Sequence, residues 1–191
     1  MKNNKSSVSG KYIIFVGLVS FTFAAIFFSL SEFLSRTVNS LTLSFIFLIV
    51  IILTGILADI VGTAVAASDE MPFHAKSSKR VKGARESVHL IRNADRVANI
   101  CCDVVGDIAG TVSGALGIAL ALQIITLWQE INHFTLNMML TALIAALTVG
   151  GKGFGKKIAL SRPNEVIFFV GRVIASFNGI KGIRLPVKRG E

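Results

Sequence analysis

Apolar residues in this chain come in long blocks separated by short polar stretches, not in the interrupted stripes of a water-facing helix. Met1–Lys11 is polar and carries Lys2, Lys5 and Lys11. Tyr12–Leu30 follows as a first apolar run, close to the roughly 20 residues needed to span a bilayer. The run is longer than the apolar core of a secretory leader, and no clean Ala-x-Ala site follows it. It therefore predicts an uncleaved first helix. Ser31–Ser40 reads as a short outer loop with Glu32 and Arg36. Leu41–Ala67 is the second run; it has length to spare for tilt or a kink, with Gly55 and Gly62 as kink points.

Ser68–Arg96 is the longest internal polar segment and holds seven basic residues: Lys76, Lys79, Arg80, Lys82, Arg85, Arg92 and Arg96. Val81, Ala84, Val88 and Ile91 recur in it at helical spacing, which predicts a basic amphipathic helix lying on a membrane surface. Val97–Trp128 is a third span, with Trp128 as an interface anchor. Gln129–His133 reads as a tight turn, and Phe134–Val149 as a shorter fourth span ending at Thr148-Val-Gly150-Gly151-Lys152. Glu165–Phe177 is too short to span and is interrupted by Arg172, so it predicts an interfacial amphipathic helix. The fold class expected is an all-α membrane protein: about four transmembrane helices plus basic juxtamembrane amphipathic helices. Residues 1–40 form an N-terminal anchor helix and outer loop, and residues 41–191 a transmembrane domain with a basic tail.

Composition agrees with this pattern. Charged residues are 16% of the chain, against about 25% in soluble proteins. The net charge of +9 is distributed informatively: Met1–Lys11, Ser68–Arg96 and Lys152–Glu191 hold nearly all the basic residues, and the two short loops hold only Arg36. The positive-inside rule then puts both termini and the long loop in the cytoplasm of a multi-pass cell-membrane protein. Topology and anionic lipid head groups account for the charge, so nucleic acid is not an expected partner.

The candidate chemistry is carboxylate chemistry. Asp103 and Asp107 are four residues apart in the third run, on one helical face about one turn apart. Asp59 lies in the second run. At about 1.5 Å per residue the three lie about 12, 9 and 15 Å in from the cytoplasmic side, for Asp59, Asp103 and Asp107 respectively. A carboxylate at such depth is costly and marks a functional site by default. Clustered acids repel unless a cation sits among them, and hard oxygen ligands suit a magnesium-like ion that keeps several waters. Thr63, Thr111 and Ser113 add hydroxyls, and Thr148, Gly150 and Gly151 end the fourth run nearby. The expected metal ligands are Asp59, Thr63, Asp103, Asp107, Thr148 and Gly150, with Mg2+ or a similar divalent cation as transported ligand. Gly106, Gly110 and Gly114 form a ladder of the helix-packing kind. Cys101 and Cys102 are adjacent and read as packing thiols, and His74, His89 and His133 as surface residues without metal-ligand spacing. No nucleophile triad, phosphate loop or metalloprotease motif is present, so an enzyme is not expected.

Three short pieces in order carry a family resemblance: Asp59-Ile-Val-Gly62-Thr63-Ala64, then Asn93-Ala-Asp95-Arg96 with Asp103-Val-Val-Gly-Asp107, then Leu147-Thr148-Val-Gly150-Gly151-Lys152. From about Leu57 to Val173 the chain resembles the transmembrane domain of the CNNM/CorC magnesium transporters. Their Ser-Glu-Thr-Ala, Asn-Pro-Asp-Arg, Gly-Asn-Asn-x-x-Asn and Gly-Glu-x-x-Pro-Lys pieces occupy the corresponding places. The two family glutamates are Gly62 and Thr148 here, family asparagines are Asp103 and Asp107, and a family serine is Asp59. The extra first helix departs from the family, as does a chain that stops before the cytosolic CBS domains. The resemblance implies divalent cation transport by a homodimer. The alternative is a non-transporting membrane scaffold or accessory subunit derived from that family; a proton-linked carrier of another solute is a third reading.

Overall fold

A computed structural model describes residues 10–37, 41–128, 130 and 132–181. Among them every regular element is helical: α1 (Gly10–Thr37), α2 (Leu41–Ala67), α3 (Met71–Ser78), α4 (Ala84–Arg92), α5 (Ala94–Ala98), a π-helix (Asn99–Val105), α6 (Gly106–Leu127), α7 (His133–Ser161) and α8 (Pro163–Lys181). Three helical stretches are long and apolar enough to cross a membrane: Leu41–Ala67, Ala94–Leu127 and His133–Ser161. The second apolar run and α2 share both boundaries.

The chain forms two compact units built from interleaved segments. One comprises Met1–Ile56 with Asp103–Gly151, the other Leu57–Cys102 with Lys152–Glu191. The boundary falls inside α2, inside the π-helix and inside α7.

The first unit is a bundle with an aliphatic core. Leu48, Ile51 and Ile52 of α2 pack with Val112, Leu116 and Leu120 of α6 and Ile144 of α7. α1 packs on α6. The opposite face of α2 is also apolar: Leu43, Ile46, Val50 and Leu53 follow helical spacing and are exposed. A helix with one apolar face packed and the other uncovered suits a hydrocarbon solvent. α7 shows this most strongly, with Phe134, Met138, Leu143 and Leu147 all exposed.

The second unit packs the short helices α3 and α4 against α8. Phe73, Ala64, Val65, Ala159 and Ile167 form its buried core. Here the basic amphipathic helix of the sequence reading needs correcting. The polar segment is split by a turn over residues 79–83, in which Arg80 (φ 56°) and Gly83 (φ 90°) are left-handed. Val81 lies in that turn and is exposed, so the stripe starts at Ala84. Its face, with Ser87 and half-buried Val88 and Ile91, is turned into the protein rather than onto a membrane surface, with α4 seated on α8. The Ser87 hydroxyl bridges the Gly83 and Ile167 carbonyls at 2.9 and 3.1 Å. The contact is possible because Gly171 has no side chain: a Cβ there would lie 2.5 Å from the Gly83 carbonyl oxygen and collide with Ser87 Oγ.

Three further boundaries differ from expectation. α1 continues through the proposed Ser31–Ser40 loop as far as Thr37, and residues 38–40 lie outside the described set. α7 does not stop at Val149 but runs on to Ser161. Glycine costs a helix interior only about 1 kcal/mol, and Gly151 recovers it by letting Ile56 pack where a Cβ would stand. The third span starts at Ala94 and contains the π-helix. In the proposed Gln129–His133 turn, Gln129 and Ile131 lie outside the described residues. Asn132 Oδ1 caps α7 there by accepting from the Phe134 and Thr135 amides at 3.0 and 3.2 Å.

Candidate functional site: a buried carboxylate and its lysine

Asp59 sits in the small-residue half of α2 and is 3% exposed. One turn on, Gly62 admits the third helical stretch. A Cβ at Gly62 would collide with Cys102 Sγ and lie 3.1 Å from the Ala98 carbonyl oxygen. Gly62 is thus a point of close approach, as small residues in membrane helices often are, not merely a kink point. Cys102 Sγ lies 3.8 Å from the Asp59 carbonyl oxygen, and both cysteines are half-buried thiols.

The Asp59 carboxylate faces Lys156 of α7, with Nζ 3.7 Å from Oδ2. That is ion-pair range but too long for a hydrogen bond. Oδ2 is fully buried and has no hydrogen-bond partner. The lysine side chain is 54% exposed. A buried acid is thus held by charge alone, by an ammonium on a half-exposed side chain. The pairing was not legible in the sequence. Lys156 was placed in a cytoplasmic tail beyond the fourth span, whereas the unbroken α7 carries it as helix. The glycines of Lys152-Gly-Phe-Gly-Lys156 read as a helix end and hid the continuation.

The other expected ligands are placed as follows. Thr63 is half-buried on α2, one turn after Asp59 and in the same unit. Asp103, Asp107, Thr148 and Gly150 belong to the first unit. Asp103 lies in the π-helix and Asp107 in the first turn of α6, and both side chains are exposed on their unit. Thr111 donates back to the Asp107 carbonyl at 2.9 Å, and Ser113 to the Gly110 carbonyl at 2.9 Å. Thr148 donates to the Ile144 carbonyl at 2.7 Å. Thr148, Gly150 and Gly151 lie inside α7, where their carbonyls accept from the helix's own amides. The expectation that the fourth span ends at these residues is therefore corrected. Among the described residues, no group of three His, Cys, Asp or Glu could hold a metal ion.

The π-helix itself was missed. Seven residues, Asn99–Val105, take the wider winding, and they include Cys101, Cys102 and Asp103. Such winding is rare and recurs at functional sites. Simple apolar periodicity does not reveal it.

The histidines are surface residues as read. His74 Nε2 lies 2.8 Å from Glu70 Oε1, and Arg92 Nε donates to the same oxygen at 2.6 Å. The Arg92 hydrogen bond, above all, holds the Glu70 carboxyl below its ordinary value of 4.5. Compared with protein-family models, with curated proteins and with solved structures, the chain matches none.

Proposed function

We propose that this chain is a multi-pass membrane protein that handles a cation at Asp59, as a divalent cation transporter or a transporter-like protein of the CNNM/CorC kind. One observation carries the reading: a carboxylate oxygen buried in a candidate span, without a hydrogen bond, faced by a lysine at 3.7 Å. Buried charge in a membrane helix is retained for function more often than for stability. The Lys156 ammonium acts as a tethered stand-in for cargo. It neutralises Asp59 at rest and, being half exposed, swings away when a cation arrives. A magnesium-like ion keeps most of its water, so one carboxylate with the Thr63 hydroxyl beside it is a sufficient protein contribution. In this reading α1 is a fourth span, both termini are cytoplasmic, and two copies pair in the membrane.

The second reading, a non-transporting scaffold, is favoured by a different observation: no three acidic, histidine or cysteine side chains gather as a metal group among the described residues. In that case Asp59–Lys156 is a structural pair.

Transport separates the two. The purified protein in vesicles loaded with a magnesium-sensitive dye is expected to admit Mg2+, with Mn2+ and Ca2+ as comparisons. Asp59→Asn is expected to abolish uptake, and Lys156→Gln to alter the apparent affinity. Asp103→Asn and Asp107→Asn test the other acids. If the wild-type protein admits no cation, or Asp59→Asn admits it equally well, the cation reading fails and the scaffold stands.

A further inference from the structure

Two cations meet one aromatic ring in the second unit. Lys76 Nζ of α3 lies 4.3 Å from the centroid of Phe168 and 5.6 Å from that of Phe73. Arg172 Cζ of α8 lies 4.8 Å from the same Phe168 centroid. The two charges are thus at most about 9 Å apart, since both are measured from one point. Among the described residues no carboxylate pairs with either of them. Cation–π contact offsets part of the mutual repulsion, but like charges this close favour an anion between or beside them.

The arrangement is held from the backbone. Gly83 has φ 90°, and a Cβ there would stand 2.6 Å from the Arg172 amide nitrogen, so the start of α4 abuts α8 where Arg172 leaves the helix. Phe73 is fully buried and braces Phe168, ring centroids 6.3 Å apart.

The neighbouring surface says what kind of anion. Phe169, Val173 and Phe177 recur every fourth residue of α8 and are exposed, Phe169 and Phe177 by 69% and 64%. This is a second apolar stripe, distinct from the Ile167–Gly171 face that meets α4. Arg172 lies directly beside it in sequence and is exposed. Only Arg162 separates α8 from the end of α7, a candidate span. The stripe is therefore tied within one residue of a helix able to cross a bilayer. Lys79, Arg80, Lys82 and Arg85 add exposed positive charge in the same unit.

We propose that Lys76 and Arg172 bind the phosphate headgroup of an anionic phospholipid, while Phe169, Val173 and Phe177 enter the acyl boundary of the same leaflet. Charge complementarity names the headgroup, and the apolar stripe selects a lipid over a free phosphate, which would have no use for it. The proposal rests on the membrane reading of the chain and not on cation transport.

The test uses the full chain in a mild detergent with a chelator present, so that no divalent cation takes part. Thermal unfolding is followed while short-chain phosphatidylglycerol, phosphatidylcholine, inorganic phosphate or a single-stranded oligonucleotide is added. Phosphatidylglycerol is expected to raise Tm saturably, and the other three to leave it unchanged. Lys76→Gln with Arg172→Gln is expected to weaken the apparent affinity for phosphatidylglycerol about thirtyfold, from two membrane-surface charges. Phe169→Gln with Phe177→Gln alters only exposed side chains. It is expected to weaken the same response while leaving Tm without lipid unchanged, which keeps the test intact if the basic double variant unfolds. Equal stabilisation by phosphatidylcholine overturns the proposal, as does a response to phosphatidylglycerol that both variants retain. Saturation by phosphate alone assigns a free-anion site instead. Competition by the oligonucleotide assigns nucleic acid, and either result rejects the lipid.

Discussion

The two units of this protein bury their residues by different means. In the first, Leu48, Ile51, Ile52, Val112, Leu116, Leu120 and Ile144 meet as aliphatic packing, buried Ser113 bonds back to the Gly110 carbonyl of its own helix, Gly55, Gly117 and Gly151 meet side chains, and Gly110 and Gly114 stand with open space where a Cβ would go. In the second, an acid and a serine are buried among the apolar residues, and Gly62, Gly83 and Gly171 each sit against another segment's backbone. Aliphatic packing in a bundle tolerates substitution provided volume is kept. Packing that rests on backbone proximity, a bridging hydroxyl and a buried charge does not, because each element has one acceptable partner. The difference teaches that the sensitive half of the molecule is the one with less hydrocarbon.

Substituting glycines is the sharpest way to break that comparison. Gly171→Ala is expected to cost about 3 kcal/mol, because the added carbon meets Ser87 and the Gly83 carbonyl and α4 has to move. Gly110→Ala meets nothing within 4 Å and is expected to be neutral or to gain up to about 1 kcal/mol from helix propensity. Thermal unfolding of the two variants in one detergent checks this; equal losses would mean that the units are not distinct. A loss at Gly110 seen only as dissociation of a dimer would place the glycine ladder at the interface between two copies.

The ion pair gives an intermediate effect. Lys156→Met leaves Asp59 buried without a counter-charge and is expected to cost about 2 kcal/mol, below the full penalty of a buried pair because the lysine is half exposed. Asp59→Asn in the Lys156→Met background is expected to recover most of it. A double-mutant cycle of unfolding free energies reads the coupling, and a coupling near zero would sink the pairing.

The smallest effect is at Glu70. Its carboxyl is held below the ordinary value, chiefly by the Arg92 hydrogen bond. The stabilisation is therefore present above pH 4.5 and is lost as pH falls through the lowered native value. Arg92→Gln is expected to flatten the acid limb of the stability profile and to leave the neutral region nearly unchanged. An unaltered acid limb would remove Glu70 from the account.

Much of the fold was written in the apolar runs. The α2 boundaries, α6 ending at Leu127 beside Trp128, and a helix over the Arg172-containing segment 165–177 all follow from where hydrocarbon begins and ends along the chain. The run-on of α7 through Gly150 and Gly151 was not legible. Glycine reads as a terminator unless one knows that Ile56 fills the space it leaves. The stripe on α4 was legible as amphipathic, but a stripe names a face and not its occupant; α8 occupies it through Ser87, Gly83 and Gly171.

The candidate site shows the same division. The sequence by itself determined that Asp59 is an acid in a segment of small apolar residues, and hence that it needs a partner. Only the tertiary structure decided that the partner is Lys156, that Asp103 and Asp107 lie in the other compact unit, and that Asp103 falls on a π-turn. The physical reason is range. Hydropathy and helical period are properties of neighbours along the chain, whereas the pairing of residues 59 and 156 depends on which helices pack and on how far each one continues.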